Sequence, residues 1–187
     1  MTSQARKKKG WNPAMIKIHI FTDGSSRGNP GPGGWAAIVM NEEEDTIITM
    51  EYDTEEYVTN NQMELKALLF ALQYAEERPK ERIVIFSDSA YVVNAYNDWI
   101  RKWARSNWKT SKGQPVENLA VMQELYTYIT RPFFNATVQK CSGHTGEIGN
   151  ELADAVATGN WKKYNDLIEF WNIKVPEQNG DNWFPND

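Results

Sequence analysis

Four acids stand where apolar or small residues would be expected. Asp23 closes the apolar run "IKIHIFT", Asp88 closes "RIVIFS", Glu64 lies inside "NNQMELKALLFALQYAEERP", and Asp154 lies in the Ala-rich "ELADAVA". Ala67 and Ala71 share the helical side of Glu64, so that side is small enough to press against a sheet. The ends of adjacent strands lie only about 5 Å apart, so acids from two strand ends and two packed helices can converge. Converging carboxylates repel and raise one another's pKa unless a cation sits between them. Hard oxygen donors select Mg²⁺ or Mn²⁺. Two such ions about 3.5–4 Å apart serve in-line phosphoryl displacement, one activating water and the other stabilising the leaving oxygen. Each acid alone has an ordinary explanation: Asp-Gly after a strand is turn chemistry, and a helical Glu is usually solvated. The signal lies in the set.

The elements that must position these acids can be read from periodicity. A first strand is expected over residues 16–22, with Ile16, Ile18 and Ile20 on one face, followed by "GWAAIVMN" and "TIITMEYD" as an antiparallel meander. The helix "NNQMELKALLFALQYAEERP" carries Leu65, Leu68, Leu69 and Leu72 at helical spacing, with Asn60 expected as its N-cap and Pro79 past its end. "RIVIFSD" reads as a strand covered on both faces. "SAYVVNAYNDWIRKWARSN" reads as two helical pieces, "NLAVMQELYTYI" as a helix, "NATVQKC" as a strand and "GNELADAVATGNW" as a helix. The order βββαβααβα implies an α/β fold, a mixed sheet flanked by helices. A short amphipathic helix through Trp171 follows, and Trp183 and Phe184 are expected to pack back on the domain.

Composition bounds the function. The chain has 187 residues with 41% hydrophobic and 24% charged, an ordinary globular mix sufficient for one core. One cysteine, Cys141, excludes an intrachain disulfide framework and fits a reducing compartment, hence a cytoplasmic protein. No apolar stretch reaches the roughly 18–20 residues of a membrane span, and the basic start has no apolar core of a secretory signal. The net charge of −5 argues against general nucleic-acid affinity, but the charge is segregated. Residues 6–9 are basic, and in "WIRKWARSNWKTSKG" the cations Arg101, Lys102, Arg105, Lys109 and Lys112 meet no acid. The tail from residue 166 is acidic. Of the histidines, His144 lies in a Gly-flanked loop and His19 lies mid-strand opposite the isoleucines, in a structural or exposed role.

The segments "FTDGSSRGNPGPGG", "TNNQMEL", "FSDSAYV", "WIRKWARSNWKTSKGQPV" and "SGHTGEIGNELAD" occur in this order. Together the set resembles ribonuclease H of the type 1 branch, over residues 15–159. The resemblance implies a ribonuclease H-like fold, a five-stranded mixed sheet with an antiparallel meander followed by parallel strands. It implies a metal-dependent endonuclease that hydrolyses the RNA strand of RNA–DNA hybrids, leaving 5′-phosphate and 3′-hydroxyl ends. Asp23, Glu64, Asp88 and Asp154 match the four metal-binding carboxylates, with Asp23 expected to bridge two Mg²⁺ ions (Mn²⁺ as a substitute). His144 matches a mobile histidine associated with proton transfer or product departure.

Asn29, Asn60 and Asn61 match residues that approach the hybrid's minor groove, where amides can reach base edges and ribose 2′-OH groups. Thr59 and Asn118 match a pocket for a DNA-strand phosphate. Trp99, Trp103, Trp108 and the intervening cations match a basic protrusion that grips the DNA strand. There Trp99 and Trp103 are expected to contact DNA and Trp108 to be buried. Two residues depart from the pattern: Ala90 stands where a polar residue often follows "DS", and Tyr57 where an Arg often lines the phosphate pocket. With the thinner set of cations in the protrusion, these imply weaker or more salt-sensitive hybrid binding. The expected organisation is a flexible basic arm over 1–14, a catalytic domain over 15–162 and an acidic, aromatic extension over 163–187 that clamps the domain, in a monomer. Two other readings stay open: a related polynucleotidyl transferase, integrase-like or derived from a reverse transcriptase, and a non-catalytic hybrid-binding module.

Overall fold

The computed structural model describes residues 16–141 and 147–176. Three strands open the chain: β1 (Lys17–Ser26), β2 (Gly31–Asn41) and β3 (Ile47–Val58). Helix α1 (Asn60–Glu76) leads to β4 (Arg82–Ser87), and α2 (Ala90–Asn94) then passes through a π-helical turn (Ala95–Trp99) into α3 (Ile100–Arg105). Helix α4 (Leu119–Ile129), β5 (Ala136–Lys140), α5 (Ile148–Ala157) and α6 (Trp161–Phe170) complete the order. The sheet runs β3-β2-β1-β4-β5, antiparallel between β1, β2 and β3 and parallel from β1 through β4 to β5.

Strand alternation sends β1 side chains to two separate cores. Ile18 and Ile20 face α1 and the α2–α4 helices, joining Leu65, Leu68, Leu72, Ile100, Met122 and Leu125. Phe21 faces the other way, with Ile38, Met40, Leu152, Val156 and Tyr164 beneath α5 and α6. The sheet is therefore the middle layer of three. His19 lies on the α5 side, half-buried, with Nδ1 2.7 Å from Glu44 Oε1 and its ring edge-on to Phe86.

Three local expectations are corrected. Strand β1 does not stop at Asp23; it continues to Ser26, because β2 goes on pairing with it after β4 has ended. The cap of α1 is Thr59, not Asn60: the Thr59 side chain accepts from the Gln62 amide, and the Gln62 side chain accepts from the Thr59 amide. This reciprocal capping box satisfies two otherwise unpaired donors. The two helical pieces after Asp88 are one continuous rod, in which the π turn shifts the register just before Trp99.

Helix α6 crosses position 162. Trp161 stands edge-on to Tyr52 and to Tyr164, and Tyr164 is buried in the α5-side core. Beyond it, Ile173 is buried and Lys174 bridges to Thr46 at the start of β3. Trp183, Phe184 and the basic cluster at 6–9 lie outside the described residues. No helix among the described residues is long and apolar enough to cross a membrane.

Candidate active site

The parallel pairing of β1 with β4 ends at Thr22 opposite Ser87, so Asp23 and Asp88 are the next residue on each chain. Just there the two paths diverge. β1 stays in the sheet against β2, pairing Asp23 with Ala36, while the chain after Ser87 turns into α2. That turn is tightly made: the Ser89 amide donates to Ser87 Oγ, and Ser89 Oγ caps α2 by accepting from the Val92 amide. Asp88 is thus held between a strand end and a helix cap.

Glu64 reaches the same point because α1 lies unusually close to β1, and Gly24 makes that possible. A Cβ at position 24 would sit 2.3 Å from the Glu64 backbone nitrogen and 2.4 Å from the Met63 carbonyl carbon. Gly24 therefore serves close approach within a strand, not a turn. Gly149 does the same on the opposite face, where a Cβ would meet the Phe21 ring at 2.1 Å and push α5 away.

One oxygen each from Asp23, Glu64 and Asp88 lies within 4.8 Å of the others, with Asp23 and Glu64 buried and Asp88 half-buried. Burial, and then the Asp88 charge, push Asp23 up to about 7. Burial, followed by the Asp23 charge, pushes Glu64 up to about 10. The two are hydrogen-bonded to each other, and Glu64 Oε2 is buried without any partner. Without a cation, the pair holds a proton at neutral pH to offset its repulsion. The donor set is all oxygen, anionic and converging, with one lone pair unanswered. That chemistry fits a hard divalent ion.

Asp154 is the carboxylate the structure does not bring into this cluster. It is half-buried on α5, near enough for its charge to raise the Asp23 pKa, but its Oδ2 is 2.8 Å from Lys163 Nζ on α6. Nothing in the spacing of the sequence signals that pair. His144 lies outside the described residues.

The asparagines gather at the rim. Asn60 Oδ1 accepts from the Ser26 amide at 2.6 Å, and Asn29 Oδ1 accepts from the Asn60 amide at 3.1 Å, tying the loop after β1 to the first turn of α1. Asn29 and Asn60 are exposed, and Asn61 is half-buried. Asn118, at φ 55°, donates to the Tyr91 hydroxyl and lines a groove with Tyr57, Gln62 and Lys66. Thr59 spends its lone pair on the cap of α1.

Tyr91, Trp99 and Trp103 form a run of rings 5.8 and 5.9 Å apart, with Trp99 delivered by the π turn. Trp108 stands edge-on to Tyr126 and is half-buried rather than buried, as are Trp99 and Trp103. The cations are also fewer than the local sequence suggested, because Lys102 pairs with Asp98 one turn earlier. Among the described residues no ion pair engages Arg101, Arg105, Lys109 or Lys112.

Comparison with known proteins agrees with this geometry. A family model described as RNase H matches residues 15–162. The ribonuclease H of Herminiimonas arsenicoxydans is 43% identical over 144 residues, 76% of this chain and 93% of that protein. Among solved structures, LC9-RNase H1, a type 1 RNase H with the type 2 active-site motif, superposes with a TM-score of 0.66 at 22% identity, covering 89% of each chain. LC11-RNase H1 in complex with RNA/DNA hybrid gives a TM-score of 0.54 at 21% identity, covering 76% of this chain and 94% of that one. With the three-layer fold, the converging carboxylates and a match over most of its length, the chain belongs to the ribonuclease H family.

Proposed function

We propose that this ribonuclease H cuts the RNA strand of RNA–DNA hybrids using divalent ions held by Asp23, Glu64, Asp88 and Asp154, leaving 5′-phosphate and 3′-hydroxyl ends. The observation that carries the proposal is the three-carboxylate cluster of Asp23, Glu64 and Asp88, in which the buried Glu64 Oε2 has no hydrogen-bond partner. When bound, Mg²⁺, with Mn²⁺ as a substitute, supplies Lewis-acid polarisation of the scissile phosphate and a water of lowered pKa. The chain's own contribution is placement. Asp23 and Asp88 are set by the divergence of β1 and β4, and Glu64 by the close approach of α1 at Gly24.

Around this centre, Asn29, Asn60 and Asn61 take the minor groove, where 2′-OH groups distinguish the RNA strand. The exposed faces of Trp99 and Trp103 lie against deoxyriboses, while Arg101 and Arg105 neutralise phosphates. Thr59 and Asn118 receive a DNA-strand phosphate, and Lys66 in the same groove, ion-paired with Glu55 in the free protein, turns to that phosphate where Tyr57 offers no cation. His144 assists proton transfer or product departure. Residues 163–176 clamp the domain through Tyr164 and Ile173. The buried thiol of Cys141 suits a reducing cytoplasm, and a monomer has every proposed ligand on one chain.

One incubation with Mg²⁺ on hybrid, duplex DNA, duplex RNA and single-stranded RNA tests the proposal. Cleavage confined to the hybrid's RNA strand is expected, with Glu64→Gln at least about 100-fold slower while hybrid binding persists. Cleavage of all four substrates, strand joining, or a fully active E64Q protein would refute it.

A further inference from the structure

Lys163 lies one residue past the stretch matched by the family model, yet it touches a carboxylate of the site. Its Nζ is 2.8 Å from Asp154 Oδ2, and both side chains are partly covered, at 37% and 46% exposure. The lysine is not a loose surface arm. Its backbone amide donates to Asn160 Oδ1 at 3.0 Å, which fixes it in the first turn of α6. The helix itself is anchored on both sides of Lys163, by Trp161 against Tyr52 and by the buried Tyr164. The ammonium is therefore delivered to Asp154 by a packed helix.

The consequence for Asp154 is visible in the cluster. Asp23, Glu64 and Asp88 converge within 4.8 Å, whereas Asp154 holds the lysine. A carboxylate engaged by a fixed ammonium has less negative charge to offer a divalent ion, and the ammonium repels that ion directly.

Resting on the reading of Asp154 as a metal ligand, we propose that Lys163 is a positioning residue that tethers Asp154 at the rim and competes with the divalent ion for it. The ion site that includes Asp154 is completed only as Asp154 exchanges the ammonium for the ion, so α6 sets its affinity. Partly exposed ion pairs contribute modestly, so removing the competitor tightens binding by about two- to five-fold.

The test is a Mn²⁺ titration of the free protein, without nucleic acid, following unbound Mn²⁺ by electron paramagnetic resonance. Lys163→Met and Lys163→Gln are expected to bind Mn²⁺ about two- to five-fold more tightly than wild type, and Lys163→Arg like wild type. D154N is expected to bind more weakly, and K163Q to have no effect in the D154N background. Thermal melts in EDTA establish that each variant is folded, and K163Q stands in if K163M is not. Unchanged or weaker Mn²⁺ binding by K163Q overturns the proposal, as does an effect of K163Q that persists with D154N. A D154N protein that binds Mn²⁺ like wild type overturns instead the ligand role of Asp154, and the tether with it.

Discussion

Replacing Asp23 with Asn should stabilise the metal-free protein while removing its response to metal. Burial and the Asp88 charge raise Asp23 from 3.8 to about 7, so the folded state holds its proton more tightly than the unfolded chain. The sign follows by linkage: native stability is lost as pH rises from about 4 to about 7, and the loss is complete above that. At about 1.36 kcal/mol per unit, the three-unit shift corresponds to ~4 kcal/mol. The proton shared with Glu64 offsets part of this, so D23N should gain about 2–3 kcal/mol in EDTA at pH 8. For a domain of this size that is about 5–10 °C in Tm. At pH 4 both carboxyls are largely neutral, and the gain should vanish. Adding Mg²⁺ should raise the Tm of wild type at pH 8 but leave D23N nearly unmoved. Melting curves at pH 4 and pH 8, each with EDTA and with Mg²⁺, separate these outcomes. A D23N protein no more stable than wild type in EDTA at pH 8, or equally stabilised at both pH values, refutes the claim that the cluster is strained by charge.

Gly24→Ala should act on both stability and chemistry, because its Cβ cannot fit beside the backbone at Glu64. We expect a Tm lowered by about 3–10 °C and, since α1 must withdraw, hybrid cleavage slowed about 100-fold; a G24A enzyme with normal turnover would show that Glu64 placement is not critical. Trp161→Ala should loosen the clamp of α6 on β3 through Tyr52, costing about 2 kcal/mol measured by urea unfolding. Unchanged stability there would mean that the contact of α6 with Tyr52 contributes nothing.

Much of the site is legible from residue order alone. Strand β4 is apolar along its length, with Ile83 and Ile85 buried on one face and Val84 and Phe86 half-buried on the other, so an acid at its end is conspicuous. In α1 the apolar and small residues on the side of Glu64 mark a buried face, and Glu64 is indeed buried with Ala67 and Ala71. Two misreadings share one cause. Asp23-Gly24 looks like a strand end, and Asn60 looks like a cap, because turn chemistry and capping are read from local residue types. Which neighbour actually takes each hydrogen bond is decided elsewhere: β2 extends β1 to Ser26, and Ser26 claims the Asn60 side chain, leaving the cap to Thr59.

By itself the sequence determined the succession of strands and helices and the acids that stand out in it, because hydrophobic period and residue type are local properties of the chain. Only the tertiary structure decided how near those acids come. The gap between β1 and α1 is set by the missing Cβ of Gly24 acting against a helix 40 residues away, since its nearest contact there would be the backbone of Glu64. Likewise Asp154 pairs with Lys163 because α6 folds back against Tyr52, a contact between segments that no local pattern connects. Charge at a distance and close packing depend on three-dimensional separation, and that is the quantity a linear pattern does not carry.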